Sequence, residues 1–146
     1  MPSITSANSS YILGVGSIFP IGQALQGYAA DEVFSTDSLE AAETLMGVDG
    51  ILSAGFVFVA VKQGISLQAD STSNAIFDAW YQAERALVDK IPASGVITLP
   101  SLGMQWVMTT GWLRTYPIIP DAKRHLQPRK YVIEWQSAFP QPFFAA

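Results

Sequence analysis

Apolar and polar side chains alternate with a period of two along several stretches of this chain. Ile65, Leu67 and Ala69 fall on one side of a predicted strand, and Ser66 and Gln68 on the other. Tyr131, Ile133 and Trp135 oppose Val132, Glu134 and Gln136 in the same way. Met104, Trp106, Met108, Thr110 and Trp112 share one face of a third strand, and Gly95–Leu99 reads as a fourth. Successive strand side chains point to opposite faces, so each pattern predicts a strand with one side against a core. Phe56–Val61 is apolar without a break and predicts a strand buried on both faces. Asp49-Gly50, between Thr44-Leu45-Met46 and Ile51-Leu52, is a hairpin signal because glycine accepts positive φ without steric cost. Near the start, short β-type runs are broken by Gly14, Gly16, Pro20, Gly22 and Gly27. The tail Phe139-Pro140-Gln141-Pro142-Phe143-Phe144 is expected to stop a ladder, since proline lacks the donor.

One segment changes period. Ile76, Trp80, Ala83 and Leu87 recur at helical spacing, with Phe77, Tyr81 and Val88 widening the stripe. Ser71 or Ser73 is placed to cap this helix, Asp78 and Lys90 suit its macrodipole, and Pro92 closes it. Strands, one helix, then more strands predict a mainly β fold: an antiparallel sandwich or barrel with one packed α-helix, α+β by strict count. The expected division is an N-terminal arm over 1–19, a β domain over 20–137 with a helix at 73–90, and a C-terminal tail over 138–146.

Charge alters the picture. Only 14% of the 146 residues are charged, against roughly 25% in ordinary soluble domains. Residues 1–30 and 91–113 carry no charged side chain. A chain this short keeps much of itself at the surface. So uncharged a chain is expected to cover its outside with a membrane, a ligand or copies of itself. The membrane fails on detail. Residues 91–113 contain Pro92, Pro100 and three glycines, which suits two strands and a turn rather than a spanning helix. No basic stretch precedes an apolar run at Met1, so no secretory signal is read there. There is no cysteine, and a single histidine cannot build a histidine metal site.

Candidate chemistry is thin. Asp31 and Glu32 are adjacent, so on a strand they point apart and are poorly placed to share a proton. His125, in Lys123-Arg124-His125, lacks the nucleophile and orienting acid that a triad needs. Gly14-Val15-Gly16 is not followed by a helix start, so it makes no phosphate loop. Trp106, Trp112 and Trp135 read as core rather than as platforms for bases or sugars. No catalytic residue, cofactor or metal ligand is expected. One asymmetry stands out. Residues 31–49 hold six acids (Asp31, Glu32, Asp37, Glu40, Glu43 and Asp49) and no base. Residues 114–130 hold Arg114, Lys123, Arg124, Arg129 and Lys130 against Asp121 alone. The two segments read either as solvated loops of opposite sign or as two sides of a head-to-tail contact, the kind that makes rings or open stacks. A net charge of −4 argues against a nucleic-acid binder.

Short phrases carry a resemblance. Gly64-Ile65-Ser66-Leu67-Gln68-Ala69-Asp70-Ser71 followed by Asn74-Ala75-Ile76-Phe77-Asp78-Ala79-Trp80 resembles the strand-to-helix step of bacteriophage tail tube proteins. So do Gly95-Val96-Ile97-Thr98-Leu99-Pro100, Gly111-Trp112-Leu113, Pro117-Ile118-Ile119-Pro120-Asp121-Ala122-Lys123, and Leu126 through Trp135. The resemblance covers about residues 20–137, and residues 1–19 have no matching phrase. It implies a structural virion protein, not an enzyme, made in the host cytoplasm. It implies six-membered rings whose sheets join across subunits, stacked into the channel for DNA ejection. The partners implied are other copies of the chain, tail sheath, baseplate and tail terminator proteins, and viral DNA that passes without tight binding. Ser66 and Gln68, the polar side of their strand, are the expected lumen residues. The alternative is a small-ligand-binding β-barrel with an aromatic-lined pocket.

Overall fold

The computed structural model describes residues 9–16, 18–25 and 34–142. Its elements in order are β1 (Ser10–Val15), β2 (Phe19–Ala24), β3 (Phe34–Thr36), β4 (Ala42–Met46), β5 (Leu52–Phe56) and β6 (Val61–Leu67). Then come α1 (Asn74–Leu87), β7 (Ala93–Leu99), β8 (Met104–Thr115) and β9 (Arg129–Pro142). Seven strands form one sheet in the order β2-β1-β7-β8-β9-β6-β3, and β4 and β5 form a separate hairpin. All pairings are antiparallel. The fold is thus mainly β with one packed helix. The sheet stays open, with β2 and β3 as outer strands.

The alternation read from the sequence places the core. Tyr131, Ile133 and Trp135 of β9 are fully buried. They stand opposite Ile65, Gln63 and Val61 of β6, and opposite Leu113 and Gly111 of β8. Tyr11, Leu13 and Val15 of β1 fill the same face. Helix α1 closes it at one end. The Phe77 ring stacks on Tyr131 with centroids 4.0 Å apart. The buried Trp80 indole N–H donates to the Ile91 carbonyl at 3.0 Å. Gln63 is a buried amide on this face: its Oε1 accepts from Tyr11 Oη at 2.5 Å and Trp135 Nε1 at 3.3 Å, and its Nε2 donates to Thr36 Oγ1 at 3.2 Å. A buried amide must be satisfied in this way or cost stability.

Several expectations are corrected. Ser10–Val15, read as part of an arm, is a strand between β2 and β7 whose alternate residues are core. Phe56–Val61 is not one buried strand: Phe56 ends the hairpin, Phe58 is 92% exposed and Val61 starts β6. The apolar run straddles the boundary between two sheets. The face shared by Met104, Trp106 and Met108 does not continue to Trp112. Gly95 pairs Met108 and Ala93 pairs Gly111, so β8 carries an extra residue, with Thr110 at φ 46°. This β-bulge passes the buried face to Gly111 and Leu113 and turns Trp112 outward. The prolines of the tail do not end β9. Pro140 pairs Trp106 and Pro142 pairs Met104, while β6 begins only opposite Trp135 and leaves the other side of the tail open. Two residues apart, both proline nitrogens point the same way, which an edge strand tolerates when that way is outward.

The helix also differs at its ends. Its buried residues are Asn74, Ile76, Phe77, Trp80 and Glu84, whereas Leu87 is exposed. Val88 adopts the left-handed C-cap at φ 53° and lies outside the stripe. Ser73 holds the N-cap position without a side-chain cap bond; Ser71 Oγ instead accepts from the Ser73 N–H at 3.2 Å.

Candidate assembly surfaces

Antiparallel pairing sends the charged segments to opposite ends of β6. Strand β6 begins at Val61 opposite Trp135 and ends at Leu67 opposite Arg129. The hairpin leaves from the Val61 end, and residues 114–130 gather at the Leu67 end.

At the first end stands β4–β5, paired from Ala42↔Phe56 to Met46↔Leu52. Gly50 takes φ 84° in its turn, and Asp49 Oδ1 accepts from the Ile51 N–H at 3.1 Å. All ten strand residues are exposed. Opposed residues share a side, so Met46, Leu52 and Phe56 form one apolar face with Ala42 and Ala54, and Glu43 lies on the other. Asp37, Glu40, Glu43 and Asp49 are all exposed, while Asp31 and Glu32 lie outside the described residues.

At the second end, Arg114 Nη1 meets Glu134 Oε2 at 2.7 Å on the surface. Lys123, Arg124, His125 and Lys130 are exposed. Arg129 corrects the expectation of a surface cation, being only 6% exposed. Its Nη2 donates to Asp78 Oδ1 at 2.9 Å and to the Pro117 carbonyl at 2.7 Å. Its guanidinium lies 5.6 Å from the Tyr116 ring centre and 5.3 Å from that of Tyr131. Tyr116 Oη also donates to Asp78. Burial pushes the Asp78 carboxyl up, but the bonds from Arg129 and Tyr116 outweigh it and hold Asp78 below its ordinary value. Burial, then the bond to Asp78, raises Tyr116, and burial raises Tyr131 further. This cluster pins the segment after β8 onto α1. Sequence reasoning missed it because its members lie 38 and 51 residues apart.

The expected lumen residues separate. Ser66 is buried opposite Lys130, and Gln68 is exposed just past β6. Further along the sheet, Thr109 Oγ1 and Ser137 Oγ lie 2.6 Å apart, and Gln105 Nε2 donates to Gln141 Oε1 at 3.1 Å.

Two concavities matter. A groove of about 590 Å³ runs between the C-terminal half of α1 and the segment from Leu113 to Ile118. An apolar recess of about 290 Å³ lies between Phe34, Val61, Ile97, Leu99, Trp106 and Met108. The sheet does not close around it into a ligand-holding barrel. Among the described residues no three His, Cys, Asp or Glu side chains gather as a metal would require, and no helix is long and apolar enough to cross a membrane.

The sequence profile of the family Tail fiber protein gp32 matches residues 2–139. The chain belongs to this family. It is therefore a tail-type structural protein. No curated protein matches it. Among solved structures, a chain of the anti-feeding prophage baseplate, 6-fold symmetrised, aligns at a TM-score of 0.60 with 13% identity over 99% of each chain. A chain of the anti-feeding prophage tube terminating cap gives 0.54 and 11%, over 90% of this chain and 87% of that one. The sheath/tube terminator of the extracellular contractile injection system PVC gives 0.51 and 12%, over 97% and 98%. At such identities the likeness of this gp32-family chain to those structures is one of fold.

Proposed function

We propose that the chain is a subunit of a tail tube, assembling as stacked six-membered rings around a channel for DNA, with no catalytic activity. The observation that carries this reading is the open seven-stranded sheet, with β2 and β3 as its outer strands among the described residues. Open edges are templates for further pairing. Joining β2 of one copy to β3 of the next would satisfy both and close a larger barrel. The fold is also that of chains in structures named for a baseplate, a tube cap and a sheath/tube terminator. A fibre would explain the family name but not the open edges.

The face of the sheet turned away from α1 suits a channel wall. Gln105, Thr109, Ser137 and Gln141 bring amides and hydroxyls there, with Val107 and Phe139 between them. Further along, Glu134 is met by Arg114 and stands opposite Lys62. Lys130 stands opposite Ser66 on the same side, so the uncharged stretch from Gln105 to Gln141 is the part that would let phosphate pass, because each neutralised phosphate adds affinity and salt dependence. Gln68 extends this polar set past β6. Sheath, baseplate and terminator proteins would be the outer and end partners, and the virion tail its place.

Size-exclusion chromatography with negative-stain microscopy tests the reading. Rings with a central hole, and tubes built from them, are expected. A protein that stays monomeric across concentration and salt would overturn it. Assembled tubes should also bind duplex DNA weakly at physiological salt; sub-micromolar binding with a steep salt slope would place a basic surface, not a neutral one, against the DNA.

A further inference from the structure

We infer that Phe58 folds back into the apolar recess of its own chain and closes it while the chain stands alone. The closed form differs from the extended one, in which Phe58 is 92% exposed, in the linker between β5 and β6.

The two linkers of the hairpin are made differently. Residues 37–41, from β3 to β4, read Asp-Ser-Leu-Glu-Ala and suit water. Residues 57–60, from β5 to β6, read Val-Phe-Val-Ala and carry no polar side chain. No charge occurs between Asp49 and Lys62. Surface connections are ordinarily built from Gly, Pro, Ser, Asn and Asp. An apolar linker with a phenylalanine inside it has the composition of a covered segment. Phe58 meets Phe56 edge-on at 4.9 Å, but Phe56 is itself 74% exposed, so the pair shields little.

The recess lies at the foot of this linker. The hairpin leaves the sheet at Thr36, the last residue of β3, and at Val61, the first of β6, and both line the recess. Phe34, Leu99, Trp106 and Ala138 are further walls, all half-buried. No charged side chain lines it. The Gln63 amide at its floor is already engaged by Tyr11, Trp135 and Thr36. Such a site takes an apolar guest with no polar group to satisfy, and about 290 Å³ admits one aromatic ring.

Reach decides the occupant. Phe58 is three residues from Val61, and three residues span up to about 10 Å. Trp106 on β8 stands two strands from Val61 on β6, across β9, which is also about 10 Å. Phe58 therefore reaches Trp106 with the root of the linker fixed. A hinge is available. The Asp37 N–H donates to the Lys62 carbonyl at 3.0 Å and the Val57 N–H to the Ala41 carbonyl at 3.2 Å, which closes a ladder on each side. Residues 38–40 and 58–60 between them belong to no strand. A guest on a short flexible tether acts at an effective concentration of about millimolar. Phe58 thus outcompetes other copies at micromolar concentration. Closure withdraws the apolar linker from water until the chain meets a partner. That closure opposes association rests on the tube reading; closure itself does not.

The absence of cysteine makes the test direct. A Phe58→Cys, Ala138→Cys double variant reports closure. Ala138 is small and half-buried and Phe58 is exposed, so both changes spare the fold. Mild oxidation of dilute protein is expected to give an intrachain disulfide, seen as a faster-migrating monomer whose yield does not depend on concentration. Linked dimers in its place, or no link, would overturn the proposal. A second readout needs no cysteine. Trp80 and Trp135 are fully buried, so in a Trp112→Phe background acrylamide quenching reports Trp106. Phe58→Ser is expected to raise that quenching, and an unchanged value would overturn closure. Rings are expected to form more slowly from the oxidised double variant than from the reduced one. Equal rates would overturn the link between closure and association. A closed monomer that forms no rings even after reduction would remove the tube reading and leave closure standing.

Discussion

The hairpin and the helix-covered half of the sheet carry similar side chains and treat them oppositely. Ile65, Leu67, Ile133 and Trp135 are buried to completion, while Leu45, Met46, Leu52 and Phe56 remain in water. Both regions have antiparallel pairing in good register. What differs is whether a second layer exists. Helix α1 supplies one for β9 and β6, and none of the described residues supplies one for β4 and β5. Apolar pattern alone thus tells that a face will be covered, not by which molecule.

The sharpest way to break this contrast is to truncate an apolar residue on each side. Trp80→Ala removes a fully buried indole and the bond to Ile91, and should cost roughly 3–5 kcal/mol in urea unfolding. Leu52→Ala on the hairpin should change monomer stability by less than about 0.5 kcal/mol, while weakening assembly. Equal losses of monomer stability would show that the hairpin packs on its own chain.

Glycines give the next contrast. A Cβ at Gly111 would lie 2.5 Å from the Trp135 ring, whereas one at Gly55 would meet nothing within 4 Å. Gly111→Ala should therefore destabilise by about 1–3 kcal/mol through overpacking. Gly55→Ala should be neutral or raise stability by a few tenths of a kcal/mol, roughly, by narrowing the unfolded ensemble. Thermal melts of the two variants read the difference.

Much of the fold was legible because its signals are local. The alternation in β9, the Asp49-Gly50 turn and the Ile76–Trp80 stripe each lie within a few residues. What escaped depends on distant partners. The bulge at Thr110 appears only against β7, where three β8 steps meet two. The prolines of β9 are tolerated because β6 stops short, a fact of topology. Arg129 looked like one cation in a basic run, and its burial follows from Asp78 on the helix. A short β-type run at the start was legible despite Gly14 and Gly16, but its place as a core strand between β2 and β7 appears only in the sheet. For the assembly surfaces, the sequence showed opposite charge in two segments, but only the pairing of β6 with β9 puts them at opposite ends.

The Asp78–Arg129 pair offers a test by pH. The folded pKa of Asp78 lies below its ordinary value, so its contribution is complete above the unfolded value, near 3.9. It is lost as pH falls through the folded pKa. Asp78 is about half exposed, which limits the expected loss in Asp78→Asn at neutral pH to about 1 kcal/mol. That variant should also show a flatter acid limb in its stability profile. An unchanged limb would mean that Asp78 titrates alike in the folded and unfolded chain.

The smallest effect on the single chain is expected from its surface charges, and there the contrast turns into one between monomer and assembly. Lys123 and Arg124 are exposed, as are Glu40 and Glu43 at the far end. Reversing Lys123 and Arg124 to glutamate should leave the monomer melt unchanged. If the two ends meet between copies, the same change should weaken assembly, and Glu43→Lys in the same chain should restore part of it. Each exposed pair is worth only about 0–1 kcal/mol, so the shift becomes measurable because every contact in a ring or stack repeats it. The effect should be largest at low salt and fade above 0.1 M, where screening acts over roughly 10 Å. Sedimentation of wild-type and reversed chains across a salt series reads this directly. Assembly indifferent to both reversals at every salt would mean that the acidic and basic segments are only solvated.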